Sequence, residues 1–282
     1  MLFDCGEGTQ RQMMRFGTGF GIRAIFITHL HADHFLGVIG LLRTLGLQGR
    51  EEPLHLFCPA GGGELLQAAM HLGVDRIPFP VSVQEMGEGD AVSYGEYEVV
   101  AFPVSHGTSA VGYAIRELPR LGRFDVHRAR ALGVPEGPLF GKLHRGESVS
   151  VGDRVIQPSE VVGDPRPGRL VVYTGDTRPV GTTAEVAEGA DLLIHEATFT
   201  EDEAARAYDT FHSTAKGAAL LARKAGVERL ILTHISARYA DNPTPLLAEA
   251  QPVFPQTAVA YDGMSLELGY RSDEGEEDPS VG

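Results

Sequence analysis

Hydrophobic and polar positions along the chain alternate between short apolar runs and longer stretches in which apolar residues recur every three or four positions. The short runs predict strands and the longer stretches predict helices, so the pattern indicates an α/β protein. The predicted strands are Arg23–Thr28, Leu54–Cys58, Tyr97–Pro103, Gly112–Arg116, Arg169–Thr174, Asp191–His195, Arg229–Thr233 and Ala258–Ala260, with Leu2–Asp4 as the end of another. The predicted helices are Gly37–Leu45, Gly62–Leu72 and Thr214–Gly226, the last with Ser213 as its N-cap and a glycine at its end.

One internal segment, residues 119–165, breaks this pattern. Apart from a short helix-like stretch at Asp125–Leu132, it has no clean periodicity, and it contains the glycine- and proline-rich run Leu132–Pro138. An insertion of this length inside a compact domain usually carries function. The chain ends in an acidic tail, residues 271–282, with five carboxylates, which we expect to be disordered.

The composition is that of an ordinary globular protein. Of the 282 residues 43% are hydrophobic and 22% are charged, which argues against a disordered or fibrous chain. No run of about 18 apolar residues is present, so we expect no membrane span. The two cysteines, Cys5 and Cys58, are too few for a disulfide framework, and we expect both to serve packing in a reducing, cytoplasmic setting.

Charge is distributed unevenly. The net charge of −14 argues against binding of nucleic acid by bulk attraction. Residues 116–146, however, hold seven basic and three acidic side chains, so this segment carries +4 and the rest of the chain −18. Such a local basic patch permits a polyanionic substrate at one place, and a solvated charged face would have the same composition.

The strongest chemical signal is a cluster of three histidines and one aspartate, His29, His31, Asp33 and His34, directly after the apolar run Ala24–Ile27. Four such side chains in six residues are not a set of core residues, because burying them unpaired would cost several kcal/mol. Imidazole and carboxylate are natural ligands of Zn²⁺ where thiolates are lacking. In a turn, His29 and His31 can reach one ion while Asp33 and His34 reach a second.

Three further residues end apolar runs in the same way, and they are His106, Asp176 and His234. Functional sites in α/β folds gather beyond strand ends, which makes the recurrence informative. Taken singly, each residue would also suit a hydrogen-bonded position at the end of a strand or the start of a turn. Together with the first cluster, they predict a site for two metal ions.

Two more groups are candidates for acid–base chemistry. His212 precedes the helix predicted at Thr214–Gly226, where it would be held rigidly and could donate a proton to a leaving oxygen. A carboxylate beside it would orient it and keep it protonated, and Glu196, at the end of another apolar run, is the candidate. The preceding residue, His195, is expected either to contact residues that line the site, without being a ligand itself, or to serve packing.

At this point the sequence resembles a known family, the metallo-β-lactamase-fold nucleases and, within them, ribonuclease Z, which processes the 3′ end of transfer RNA. The superfamily signature is formed by the seven predicted ligands. The narrower motifs are Phe3–Gln12, Tyr173–Arg178, His195–Thr198, Phe211–Thr214 and Gly133–Leu143. The resemblance covers residues 1–270 and lacks the strand, glycine-rich loop and basic segment that family members carry before the first motif, so we expect an N-terminally truncated nuclease domain.

The resemblance implies a fold and a metal centre. The fold would be a four-layer αβ/βα sandwich with a flexible arm inserted at 119–165. Each subunit would bind two Zn²⁺, or Mn²⁺ or another divalent ion in their place. One ion would be held by His29, His31 and His106 and the other by Asp33, His34 and His234, with Asp176 bridging them.

The resemblance also implies a reaction and partners. Asp33 would take a proton from the attacking water, and His212, supported by Glu196, would stabilise or protonate the departing 3′ oxygen. The products would be a transfer RNA with a 3′ hydroxyl and a trailer with a 5′ phosphate. A homodimer is expected, with precursor transfer RNA as substrate and with neither DNA nor a membrane as partner. The RNA would be clamped by the residues Arg123, Arg128, Arg130, Gly137, Pro138, Lys142 and Arg145 of the arm.

Three alternatives remain open. A thioesterase or lactonase of the same fold would share the ligand signature, but those enzymes lack the basic insertion and the His212 motif. A cyclic phosphodiesterase of this fold is a closer alternative than a thioesterase or lactonase, and turnover of a small phosphodiester would not distinguish it from a ribonuclease. A third interpretation is an RNA-binding scaffold with structural metals, which metal-dependent binding without cleavage would support.

Overall fold

The structure is a computed structural model that describes residues 1–73 and 76–270, and it divides into two compact units. The larger unit comprises Met1–Arg116 and the chain from Leu170 onward, and the smaller unit is Glu117–Arg169. The acidic tail, residues 271–282, lies outside the described residues.

The helices and strands are numbered in chain order. The strands are β1 (Leu2–Phe3), β2 (Ala24–Phe26), β3 (Leu54–Pro59), β4 (Val81–Met86), β5 (Ala91–Ser93), β6 (Tyr97–Pro103), β7 (Val111–Glu117), β8 (Val149–Val151), β9 (Arg154–Ile156), β10 (Leu170–Tyr173), β11 (Leu192–Glu196), β12 (Leu230–Thr233) and β13 (Thr257–Val259). The helices are α1 (Thr9–Phe16), α2 (Ala32–Phe35), α3 (Gly37–Leu47), α4 (Gly63–Met70), α5 (Val126–Ala131), α6 (Pro138–His144), α7 (Gly181–Val186), α8 (Ala204–Asp209), α9 (Ala215–Ala225) and α10 (Thr244–Ala250). Among the described residues, no helix has the length and apolar character needed to cross a bilayer.

The larger unit contains two sheets. One has the strand order β1-β2-β3-β4 and is parallel, and the other has the order β13-β12-β11-β10-β7-β6-β5. Strands β10 to β13 run parallel, and β7 joins β10 in antiparallel orientation.

Side chains from both sheets meet in a central core around Phe26, Phe57 and Tyr113. Because successive residues of a strand point to opposite faces, Ile25 and Ile27 pack on the other side of the first sheet, against α3 and α4. Helices α7, α9 and α10 cover the outer face of the second sheet. The layers are therefore helices, sheet, sheet and helices, which confirms the predicted four-layer sandwich.

The predicted strands and helices are present, with ends that differ from the prediction by at most two residues. One cap was predicted wrongly. The N-cap of α9 is Thr214, whose side chain accepts from the Gly217 amide, while the Ser213 hydroxyl donates to the Thr177 carbonyl. The helices and strands that sequence reasoning missed, among them α1, β4, β5, α7 and α10, are short or lack a clean apolar period.

The smaller unit is more regular than the sequence suggested. We expected irregular chain beyond one short helix, but the unit also contains α6 and the antiparallel hairpin β8–β9. It has a hydrophobic core of its own, in which Ala129, Val134, Leu143, Val149 and Ile156 are buried. The few apolar residues are spread over short elements, so no helical or strand period was long enough to be recognised. The role of residues 119–165 as a flexible, RNA-binding arm stays a prediction.

Both cysteines are fully buried and serve packing. Burial raises the pKa of Cys5 to about 12 and that of Cys58 to about 11, so both thiols are protonated at neutral pH. They lie in the core between the first sheet and its helices.

Candidate active site

Three of the predicted site residues lie at one edge of the second sheet. Asp176 follows β10, Glu196 is the last residue of β11, and His234 follows β12. Because these three strands are parallel neighbours, their carboxyl ends meet at the same edge.

Gly175 allows the loop after β10 to approach the loop after β2, which begins the histidine cluster. Its φ is 60°, a left-handed conformation that glycine adopts without steric cost. A Cβ atom at this position would lie 2.6 Å from Cβ of Thr28, too close for any side chain. The glycine thus lets Asp176 reach the residues that follow Thr28.

The first ligand cluster consists of His29, His31 and His106. Nδ1 of His31 lies 3.0 Å from Nε2 of His29 and 3.2 Å from Nε2 of His106. His29 is fully buried, and burial, with the charge of His34 as the next cause, lowers its pKa to about 3. His29 is therefore neutral at physiological pH, which is the form that binds metal.

The second ligand cluster consists of Asp33, His34 and His234. Oδ2 of Asp33 lies 3.5 Å from Nε2 of His34 and 3.5 Å from Nε2 of His234. Partial burial would raise the pKa of Asp33, but the two histidines outweigh it and the net shift is downward. A lowered pKa suits a carboxylate that acts as a metal ligand.

Asp176 lies between the two clusters. Its Oδ2 atom is 3.7 Å from Nε2 of His29, in the first cluster. The same atom is 3.4 Å from Nε2 of His34 and 3.4 Å from Nε2 of His234, in the second cluster. The structure thus brings together all seven side chains that the sequence predicted as ligands, with Asp176 near residues of both clusters.

The donor set fits divalent metal ions of the zinc type. Within the described residues, Nε2 of His34 and Oδ1 of Asp176 are buried and have no hydrogen-bond partner. Buried polar atoms are normally paired, so such atoms need an explanation, and an ion is one. The nitrogen–oxygen separations of 3.4–3.7 Å are longer than hydrogen bonds and are those expected of atoms arranged around a common centre.

Asp4 supports the second cluster and was missed by sequence reasoning. Its carboxylate accepts from the amide and hydroxyl of Thr28, from Nδ1 of His34 at 2.8 Å and from the hydroxyl of Tyr173. Burial opposes the charged form of His34, but the neighbouring carboxylates of Asp176 and Asp4 raise its pKa to about 10. The signal was present in the sequence, since Asp4 ends the apolar run Leu2-Phe3 as the ligands end theirs.

His212 and Glu196 form a pair beside the ligands. Nδ1 of His212 lies 2.7 Å from Oε1 of the fully buried Glu196 and 4.0 Å from Oδ2 of Asp176. Burial lowers the pKa of His212, but the Glu196 carboxylate outweighs it and the net shift is upward. Glu196 also accepts from the amides of Thr177, Thr198 and Ser213, so its charge is well stabilised.

Two other contacts of the site lay beyond sequence reasoning. The Thr198 hydroxyl lies within 3.0 Å of both Nδ1 and the carbonyl of His234 and donates to Glu196. The carbonyl of Phe211 lies 3.2 Å from Nδ1 of His106. A threonine hydroxyl and a backbone carbonyl have no sequence pattern that identifies such roles.

The predicted RNA-binding residues belong to the smaller unit and not to the metal cluster. All members of the set lie within Glu117–Arg169 and are exposed, and they are Arg123, Arg128, Arg130, Gly137, Pro138, Lys142 and Arg145. Two of its cations are paired within the unit, Arg130 with Glu136 at 2.6 Å and Arg145 with Glu147 at 3.5 Å. Their function stays a prediction.

Comparison with known proteins reveals relatives that match nearly the whole chain. The beta-lactamase superfamily domain matches residues 1–133 and 157–235. A ribonuclease Z of Myxococcus xanthus is 52% identical over 273 residues, which cover 96% of this chain and 89% of that protein. A ribonuclease Z of Haloferax volcanii is 54% identical over 278 residues, covering 98% and 88%. The crystal structure of the short form of human tRNase Z is similar with a TM-score of 0.66 and 26% identity, covering 95% of this chain and 87% of that one.

Proposed function

Because this chain belongs to the beta-lactamase superfamily and, within it, to the ribonuclease Z family, we propose that it removes the 3′ trailer from precursor transfer RNA. It is a metal-dependent endoribonuclease, and thus a hydrolase. The observation that carries the proposal is the pair of ligand clusters joined by Asp176, with the His212–Glu196 pair beside them. The proposed products are a transfer RNA with a 3′ hydroxyl and a trailer with a 5′ phosphate.

Two Zn²⁺ ions are the proposed cofactors. The first cluster, His29, His31 and His106, would hold one ion, and the second cluster would hold the other, with Asp176 shared. When bound, two such ions supply Lewis acidity at the scissile phosphate and lower the pKa of water to near ~7. The mixture of imidazole and carboxylate ligands supports zinc and also suits Mn²⁺.

The chain's own residues supply orientation and a proton. Glu196 holds Nδ1 of His212, which leaves the other ring nitrogen free to donate to the departing 3′ oxygen. Asp4 fixes the ring of His34 through Nδ1, so that its Nε2 atom faces the carboxylates of Asp33 and Asp176. Asp33 is proposed as a ligand first, with proton transfer from the attacking water as its second role.

The smaller unit is proposed to bind the body of the transfer RNA. Its exposed cations would contact phosphates, and recognition would depend on shape, since base edges in folded RNA are hidden in a deep groove. The acidic remainder of the chain would limit indiscriminate binding of other RNA. A homodimer and a cytoplasmic setting are kept as predictions from the resemblance and the cysteine content.

The decisive experiment maps the products of one substrate. A 3′-extended precursor transfer RNA, incubated with the chain and Zn²⁺, is expected to be cut once, directly after the discriminator base. The 3′ end of the transfer RNA should accept ligation, and the trailer should carry a 5′ phosphate. Cuts at several positions, or none in a preparation that hydrolyses a small phosphodiester, would contradict the proposal.

Replacing His212 by alanine tests the proton donor. Loss of a positioned general acid typically costs about 10²–10⁴-fold in rate, so kcat for precursor transfer RNA is expected to fall by that factor. Because His212 is not proposed as a ligand, zinc content should be unchanged. A substrate whose leaving group needs no proton, such as bis(p-nitrophenyl) phosphate, should lose much less rate. Equal losses on both substrates would contradict the assignment.

A further inference from the structure

Arg178 lies between two aromatic rings, that of Tyr208 at the end of α8 and that of Phe211 in the loop that follows. Its guanidinium carbon is 3.9 Å from the ring centroid of Tyr208 and 3.9 Å from that of Phe211. Its Nε and Nη2 atoms both donate to the Tyr208 carbonyl, the first at 2.8 Å. Tyr208 is in the last turn of α8, and its carbonyl also accepts from the Phe211 amide at 3.3 Å. Arg178 therefore shares the carbonyl that the Phe211 amide also uses, and its guanidinium stacks on the Phe211 ring.

Phe211 is the residue of this loop that touches the site. Its φ of 62° lies in the left-handed region, which is strained for an aromatic residue. Its carbonyl lies 3.2 Å from Nδ1 of His106, and the next residue is His212. The conformation of this one residue therefore sets the orientation of a proposed ligand on one side and of the proposed proton donor on the other.

A second link joins Arg178 to the same ligand. Its backbone amide donates to the carbonyl of Ser105, the residue before His106, at 2.9 Å. The side chain thus reaches the loop of Phe211 while the backbone holds the segment that carries His106. Both partners of the bond between Nδ1 of His106 and the Phe211 carbonyl are tied to one residue.

We propose that Arg178 is a positioning residue that keeps Phe211 in its strained conformation and thereby orients His106 and His212. The inference rests on the proposed function, since it takes His106 as a metal ligand and His212 as the proton donor. Without the stacked guanidinium, Phe211 can leave the left-handed region, and its carbonyl then turns away from Nδ1 of His106. The ligand loses the bond that fixes its tautomer, and His212 loses its fixed place beside Glu196.

The test compares Arg178→Lys and Arg178→Ala with the unaltered chain. Zinc affinity, measured against a competing chelator, should fall about 10–100-fold, as is usual when an outer partner of a metal ligand is removed. The kcat should fall by at least about 10-fold on both precursor transfer RNA and bis(p-nitrophenyl) phosphate, while KM for the RNA should change little.

Arg206→Lys is the matched control. Arg206 is an arginine of α8 whose guanidinium stacks on Phe199 and pairs with Glu203, so its side chain engages a different ring from those that hold Arg178. The control variant should therefore keep the zinc affinity and the kcat of the unaltered chain. An equal fall in both variants would show a general loss of stability and would overturn the inference.

Chemical rescue separates positioning from loss of the fold. Methylguanidinium added to Arg178→Ala should restore part of the zinc affinity and kcat, and methylammonium at the same concentration should not, because only the planar cation fits between two rings. A raised KM for RNA with zinc affinity and small-substrate kcat unchanged would show that Arg178 binds RNA and would overturn the inference. If the unaltered chain fails to cut transfer RNA, the proposed function fails, while a fall in zinc affinity would still support the positioning role.

Discussion

Replacing Asp176 by asparagine is expected to lower kcat/KM for precursor transfer RNA by at least about a thousandfold, or about 4 kcal/mol of transition-state stabilisation. Asparagine keeps the size of the side chain and removes its charge. The affected atom, Oδ2, lies within 3.7 Å of ligand atoms from both clusters, so both ions would lose a ligand together. Zinc affinity should fall by more than roughly 10–100-fold, which is the loss expected when a residue that hydrogen-bonds to a metal ligand is removed.

The measurement pairs single-turnover cleavage with zinc content after dialysis. Asp191→Asn is the matched control, because Asp191 is also a buried carboxylate, and its Oδ2 accepts from the Leu170 amide at the start of β10. That variant is expected to lose stability and to keep its zinc and its kcat. If Asp176→Asn retained full zinc and more than about a tenth of the activity, the bridging assignment would be wrong.

Removing the smaller unit is expected to reduce cleavage of precursor transfer RNA strongly and to spare hydrolysis of bis(p-nitrophenyl) phosphate. The structure suggests where to cut. Strands β7 and β10 are antiparallel partners, Arg116 pairs with Leu170, and the Glu117 amide donates to the Arg169 carbonyl at 2.9 Å. Replacing residues 118–168 by Asn-Gly would therefore close a two-residue hairpin. The kcat/KM for the RNA should fall at least about a hundredfold, since the exposed cations proposed to bind phosphates are removed.

A second variant keeps the unit and removes only charge. Alanine at the five basic positions Arg123, Arg128, Arg130, Lys142 and Arg145 leaves the core of the unit intact, because none of the five belongs to that core. It should weaken RNA binding. The slope of log K for RNA binding against log salt concentration should become less steep by up to about 5, close to one for each phosphate that a cation neutralises. If the hairpin variant lost both activities equally, the unit would be a structural part of the hydrolase instead of an RNA-binding arm.

The positions that sequence reasoning brought together share a local signal. Asp176 and His234 each follow an apolar run, and a strand end in an α/β sheet is where such residues converge. The pattern therefore predicts which residues come together, but it does not predict the distances between their side chains or their orientations. Thr214, by contrast, caps α9 where Ser213 was expected, because both hydroxyls can cap a helix and only the tertiary contact of Ser213 with the Thr177 carbonyl decides between them.

What could not be predicted depends on contacts between distant segments. The Phe211 carbonyl lies against His106, 105 residues away, and the Tyr173 hydroxyl donates to Asp4, 169 residues away. A backbone carbonyl is present at every residue, so composition cannot mark the one that matters. The core of the smaller unit was missed for a related reason, since Leu143 and Ile156 are brought together by the fold and not by a period along the chain.

The place of Asp176 between the two ligand clusters has a consequence for synthesis of the protein on the ribosome. A nascent chain that has emerged as far as β3 already carries the compact cluster from His29 to His34, but neither Asp176 nor His234 has been made. Folding proceeds from the N-terminal side as the chain emerges. The residues from His29 to His34 therefore form before the second sheet can supply Asp176 and His234. The proposed metal centre can be completed only after translation has passed His234. A nascent chain that ends before His234 therefore lacks part of the proposed metal centre, and we expect it to be inactive as a nuclease.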